Sequence, residues 1–272
     1  MPTAVKSKPK ARAKTKVTSN SSDMLSSLCL ELQRSQRKRA IVIKSRIMQA
    51  NRLQAIVAGT LGYSAGMNEK HRLKKFAEAS ALIEAVKYGE QEHDLQSIIN
   101  ATLEGIRAFD IEQVVIERDM MEIAKQLPVV DWVKDEQQRG FGLPLLAVVI
   151  GETGDLNQYA GPAKVWRRMG CAPFESHGKV HMGSTWRFGK EGKLSADEWT
   201  AFGYSPRRRS IAYLIGDCLI KANKSIYRAR YDEAKATIAA AHPDYQPMRC
   251  HRHGMLLATK LLLKNLWVAW RA

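Results

Sequence analysis

The tightest constraint on this chain's fold lies between residues 94 and 126. Ile116, Met120, Ile123 and Leu127 recur at intervals of four, three and four, and Ile99, Leu103 and Ile106 keep the same rhythm upstream. A strand would alternate by two, so this spacing predicts one long helix with a single apolar stripe from about Asp94 to Gln126. Its other side carries Glu104, Asp110, Glu112, Glu117, Asp119 and Glu122. A stripe of that length has to be covered. We expect an antiparallel helical hairpin or a coiled-coil seam, and the seam admits a homodimer through the long helix.

The remaining segments also read as helical. Residues 1–22 hold six basic residues, no acid and almost no large apolar side chain, which predicts a disordered basic tail. Such a tail either grips phosphates or serves as a solubilising leader. Ser22 or Asp23 is placed to cap a helix running through Leu25, Leu28 and Leu32 to Ile47, with a basic cluster from Arg34 to Arg39. Gly59, Gly62 and Gly66 mark a break, and a second helix spans about Asn68 to Lys87, with His71, Arg72, Lys74 and Lys75 near its start. A further helix is expected from Ile211 to Arg230. The fold class is therefore all-α, with a tail at 1–22, a helical region at 23–138 and a helical domain at 139–272.

Charge decides which partners to consider. The net charge is +16 over 272 residues, which favours an acidic partner, and nucleic acid ahead of a membrane surface. It is unevenly spread: +14 before residue 76, −10 over residues 76–159 and +12 beyond. Two basic blocks around an acidic one suggest two contact surfaces joined by a solvated spacer. No apolar run approaches bilayer length, and no signal-peptide pattern opens the chain, so neither a membrane nor secretion is expected. Four cysteines with no paired spacing fit a reduced, cytoplasmic setting.

The chemistry-bearing residues cluster after position 138. Gly140-Phe141-Gly142 stands between an amphipathic helix and the apolar helix Leu145 to Ile150, the pattern of a helix-hairpin-helix turn. There the glycines allow a tight turn, free N–H groups can meet a phosphate, and Phe141 plugs the core. Arg167 and Arg168 follow, then Arg207, Arg208 and Arg209 after the cap Ser205-Pro206, where a tight cationic cluster suits phosphate contact. Between them, Lys179, His181, Trp186, Arg187, Phe188, Lys190 and Lys193 mix cations with aromatics. That mixture suits stacking on distorted or single-stranded nucleic acid, or else a β-hairpin or loop with a packed Trp. Cys250-His251-Arg252-His253 lacks a second ligand pair, so no metal site is expected. Walker A, dinucleotide-binding, HExxH and GxSxG patterns are all missing.

In order and spacing, residues 139–272 resemble the C-terminal domain of the RNA-bridged insertion-sequence transposases, a domain shared with the Piv-type DNA invertases. The resemblance runs through Gly140 and Gly142, Gly154-Asp155, Gly170 and Pro173, Glu175-Ser176-His177-Gly178, Tyr204 to Arg209, and Thr259-Lys260-Leu261. It implies DNA transposition or site-specific recombination, with Ser176 as the nucleophile. It also implies a RuvC-like domain whose acidic residues bind divalent metal. Residues 1–138 show no counterpart of that domain, so the chain itself is expected to carry no cofactor, and a partner chain would have to supply the metal site. The alternatives are a non-catalytic DNA-binding or regulatory derivative and a module that binds structured RNA.

Overall fold

The computed structural model describes residues 17–176, 179–181, 201 and 203–272. The fold is all-α, and among the described residues one short antiparallel strand pair interrupts the helices. In chain order the helices are α1 (Val17–Thr60), α2 (Glu69–Lys87), α3 (Gln96–Ala124), α4 (Val130–Lys134), α5 (Leu143–Thr153) and α6 (Pro162–Arg168). Strands β1 (Phe174–Ser176) and β2 (Lys179–His181) follow, then α7 (Pro206–Lys221), α8 (Ile226–Ala241) and α9 (Pro247–Ala269). The described residues form two compact units: residues 34–122, and the described residues before 34 together with those from 123 on. These limits fall inside α1 and α3, whereas the sequence suggested a division at residues 138–139.

The unit of residues 34–122 is built from α1, α2 and α3. Leu53, Val57 and Ala58 of α1, Ala79, Leu82, Ile83 and Val86 of α2, and Ile99 of α3 form one buried cluster. Asn68 accepts from the His71 N–H at 2.9 Å and starts α2, as its residue type predicts. Gly62, at φ 85°, makes the turn before it. Further along, Arg39 donates to Glu117 at 2.7 Å and Arg46 to Asp110 at 3.0 Å. Seven residues forward on α1 match seven back on α3, the mark of an antiparallel pair with a heptad repeat. The long stripe is thus covered within one chain. Five of the six acids on α3 are exposed, as a solvated face requires, and two of the six, Asp110 and Glu117, also pair with cations of α1. At the start of α2, Lys74 and Lys75 are taken up by Glu78.

In the other unit, α5 is the buried rod, with Leu146, Ala147, Val149 and Ile150 inaccessible. Helix α9 packs on α6, α7 and α8. Tyr227 ties three elements together: its hydroxyl bonds to the buried Gln138 and accepts from Asn265, and burial pushes its pKa up to about 12. Two expected boundaries are corrected. Helix α1 begins at Val17, because no Gly or Pro stops it before Ser22 and Asp23, so residues 17–22 are helical and only residues 1–16 of the expected tail lie outside the described residues. The helix expected from Ile211 to Arg230 is two helices. Lys224 adopts φ 65°, and Ser225 then caps α8 by accepting from the Arg228 N–H at 3.1 Å. The Arg228 guanidinium reaches back to the Ile220 carbonyl at 2.9 Å, satisfying the end of α7.

Candidate nucleic-acid interface

Helix α6 is short and cationic. Lys164, Arg167 and Arg168 stand three and four residues apart, so they share one side of it. Trp166 points elsewhere: its indole N–H donates to the Lys260 carbonyl at 2.9 Å, and the Lys260 ammonium lies 5.4 Å from the ring centre. Two more indoles of α9 and the turn after it complete the anchorage. Trp267 donates to the Tyr159 carbonyl at 3.0 Å, and Trp270 to the Asp155 carboxylate at 2.9 Å. Residues 155–168 are thereby tied to α9 and the turn after it. Their outer side forms a concavity of about 370 Å³ lined by Gln158, Tyr159, Ala160, Lys164, Arg167, Arg168 and Gly203.

A buried carboxylate organises the adjoining wall. Glu152, at the end of the otherwise apolar α5, has a side chain only 2% exposed. One of its oxygens accepts from Arg207 at 2.9 Å and from Arg208 at 3.3 Å, while Arg168 donates to its backbone carbonyl at 3.1 Å. Ser205 makes this possible by capping α7: its hydroxyl accepts from the Arg208 N–H and sets the arginines on the first turn. Burial, and then the charge of Arg168, pull the Arg208 pKa below its ordinary value. Arg207 and Arg208 thus meet on the buried Glu152 carboxylate, and Arg168, bound to its carbonyl, links them to Lys164 and Arg167 in the adjoining concavity. A group so rich in positive charge favours an anion, and a phosphodiester matches both its charge and the planar donors of arginine.

The other residues singled out from the sequence sort differently. Arg209 does not join Glu152; its guanidinium donates to the buried Cys171 sulfur at 3.8 Å. Burial, followed by the charge of Arg209, holds the Lys260 ammonium below its usual value. Gly140, at φ 90°, lets the turn pass close to α7: a Cβ there would sit 2.7 Å from the Cys218 carbonyl. Gly142 is the N-cap of α5, and Phe141 between them is 1% exposed, the expected plug. In Gly154-Asp155, the carboxylate caps the following turn through the Asn157 N–H and holds Trp270. Ser176 pairs with Lys179 at the end of the β1–β2 ladder, next to the connection. Arg187 lies outside the described residues. His251 is engaged by the Tyr231 hydroxyl at 2.8 Å, and among the described residues no group of His, Cys, Asp and Glu could hold a metal.

Sequence reasoning missed Lys164, Tyr159 and Glu152. Two signals pointed to them: Lys164 precedes Arg167 and Arg168 by helical spacing, and Glu152 is the only charge within α5. Compared with known family models, curated proteins and solved structures, the chain matches none. Among the described residues no helix is long and apolar enough to cross a membrane.

Proposed function

We propose that this chain binds nucleic acid and holds DNA during transposition or site-specific recombination, with residues 139–272 as the DNA-handling part. The observation that carries the reading is a pair of cationic groups joined at Arg168: Lys164, Arg167 and Arg168 line one concavity, and Arg168 also reaches the carbonyl of Glu152, whose buried carboxylate takes Arg207 and Arg208. Its particular chemistry rests on the resemblance of residues 139–178. In that reading the Ser176 hydroxyl attacks a phosphodiester, a serine–phosphate bond forms, and a strand-end hydroxyl leaves with the proton equivalent. A serine hydroxyl needs activation at neutral pH. Among the described residues no group of His, Cys, Asp and Glu offers a donor set for the divalent metal of the resembling family, so no step is routed through one here.

The test uses end-labelled duplex DNA with the full chain, alone and with its native partner fraction. A covalent protein–DNA adduct resistant to denaturant, lost in Ser176→Ala while binding persists, supports recombination. Binding with no adduct under any condition sinks the nucleophile and leaves a non-catalytic DNA-binding derivative. Preference for folded RNA over duplex DNA at matched salt would shift the reading to an RNA module.

A further inference from the structure

Residues 34–60 of α1 contain seven basic residues and no acid, and the structure divides those seven into two sets. Arg39 and Arg46 face α3 and are neutralised there by Glu117 and Asp110. Arg34, Arg37, Lys38, Lys44 and Arg52 are all exposed, and among the described residues none of them is in an ion pair. Ile41 and Met48, 65% and 60% exposed, stand between them. Each follows a seam-facing arginine by two residues, about 200° around the helix, which places it opposite the seam. At spacings of three and four, the five cations flank the same outward line. This face runs about 27 Å from Arg34 to Arg52 at 1.5 Å per residue.

Five like charges on one helix face repel one another, and Arg34 with Lys38 is an unfavourable i, i+4 pair. Glu31 stands one turn before Arg34, but among the described residues no carboxylate is in an ion pair with any of the five. Helix α3 carries six acids against two bases, yet Asp110 and Glu117 are spent on α1, Glu104 is beside Arg107 and Asp119 beside Arg118. A second copy's α3 would therefore match the face poorly, whereas a phosphodiester backbone supplies a charge every few ångströms. We infer that the outward face of α1 is a second nucleic-acid surface, separate from the α6–α7 cations. Its five cations hold backbone phosphates, and Ile41 and Met48 rest against the sugars. The inference builds on the nucleic-acid reading above.

The experiment compares the full chain with the exposed-site variant Arg37→Gln, Lys38→Gln, Lys44→Gln on a fluorescein-labelled 30-bp duplex across a salt series. Circular dichroism checks that the helices persist. Duplex binding loses roughly 0.9 in log–log salt slope for each phosphate contact removed, so the triple variant should lose about 2 to 3. A Lys164→Gln, Arg168→Gln variant should lower the slope independently, and the two losses should add. An unchanged slope in the triple variant, with wild-type binding intact, overturns the second surface alone. No binding by the wild type overturns the nucleic-acid reading as well. Sedimentation showing that the wild type self-associates and the triple variant does not, at equal slopes, would assign the face to a second copy instead.

Discussion

Glu152→Gln is the substitution that loads the site's architecture most heavily. The side chain is 2% exposed and accepts from Arg207, whose own side chain is 46% exposed, and from Arg208, at 17%. Removing one partner of a buried ion pair typically costs about 3–5 kcal/mol, because the remaining charge is left without compensation. The Arg207 share is screened by water and is worth about 0–1 kcal/mol. Glutamine also keeps one carbonyl acceptor for Arg208. We therefore expect a loss of about 2–3 kcal/mol, mostly through Arg208, which for a unit of this size lowers Tm by roughly 5–10 °C. All six tryptophans lie at position 132 or later, so urea unfolding followed by indole fluorescence reports this unit and not residues 34–122. The urea midpoint should fall with m unchanged. Arg208→Gln should cost more than Arg207→Gln, and the exposed Glu175→Gln should cost almost nothing. A loss below about 0.5 kcal/mol for Glu152→Gln would refute the view that this carboxylate holds the arginines in place.

The remaining predictions probe separate parts of the fold. Gly140→Ala places a Cβ 2.7 Å from the Cys218 carbonyl at φ 90° and should destabilise the same unit by about 2 kcal/mol or more, measured by the same titration. For Arg39 and Glu117, 20% and 38% exposed, a double-mutant cycle to Ala should give a coupling of about 0.5–1 kcal/mol, and zero coupling would place them outside the α1–α3 seam. Burial raises the pKa of Cys29 to about 12 and also that of Cys171 and Cys218. Ellman's reagent should thus react slowly with the native chain and first with Cys218, the one thiol that is not buried. Burial, then the charges of Lys260 and Arg230, lower the His253 pKa. The unfolded chain binds that proton first, so stability falls as pH drops through the ordinary histidine range, and His253→Gln should flatten that slope between about pH 5 and 7.

Local signals predicted the local structure well. Asn68 announced α2, Ser205-Pro206 announced α7, and the three-four rhythm gave α3 to within two residues at each end. What the sequence hid was pairing at a distance. Arg39 and Glu117 are 78 residues apart, so nothing local showed that two acids on the largely exposed side of α3 pair with α1. Arg207 and Glu152 are separated by 55 residues, and composition could show a cationic cluster but not the carboxylate beneath it. Gly140 made the same point in reverse. Its turn was legible, yet its purpose, close approach to α7, depends on a helix some 80 residues later. Residues 211–230 misled because apolar periodicity continues across the break, and only the Ser225 cap competes with it.

The most direct test of the central claim is the salt dependence of duplex DNA binding by the full chain and by the Lys164→Gln, Arg167→Gln, Arg168→Gln variant. All three side chains line the same concavity. If that surface holds the backbone, binding tightens steeply as salt falls, and the variant loses about 2 to 3 in log–log slope while circular dichroism shows its helices intact. Equal slopes for the two proteins would contradict the account.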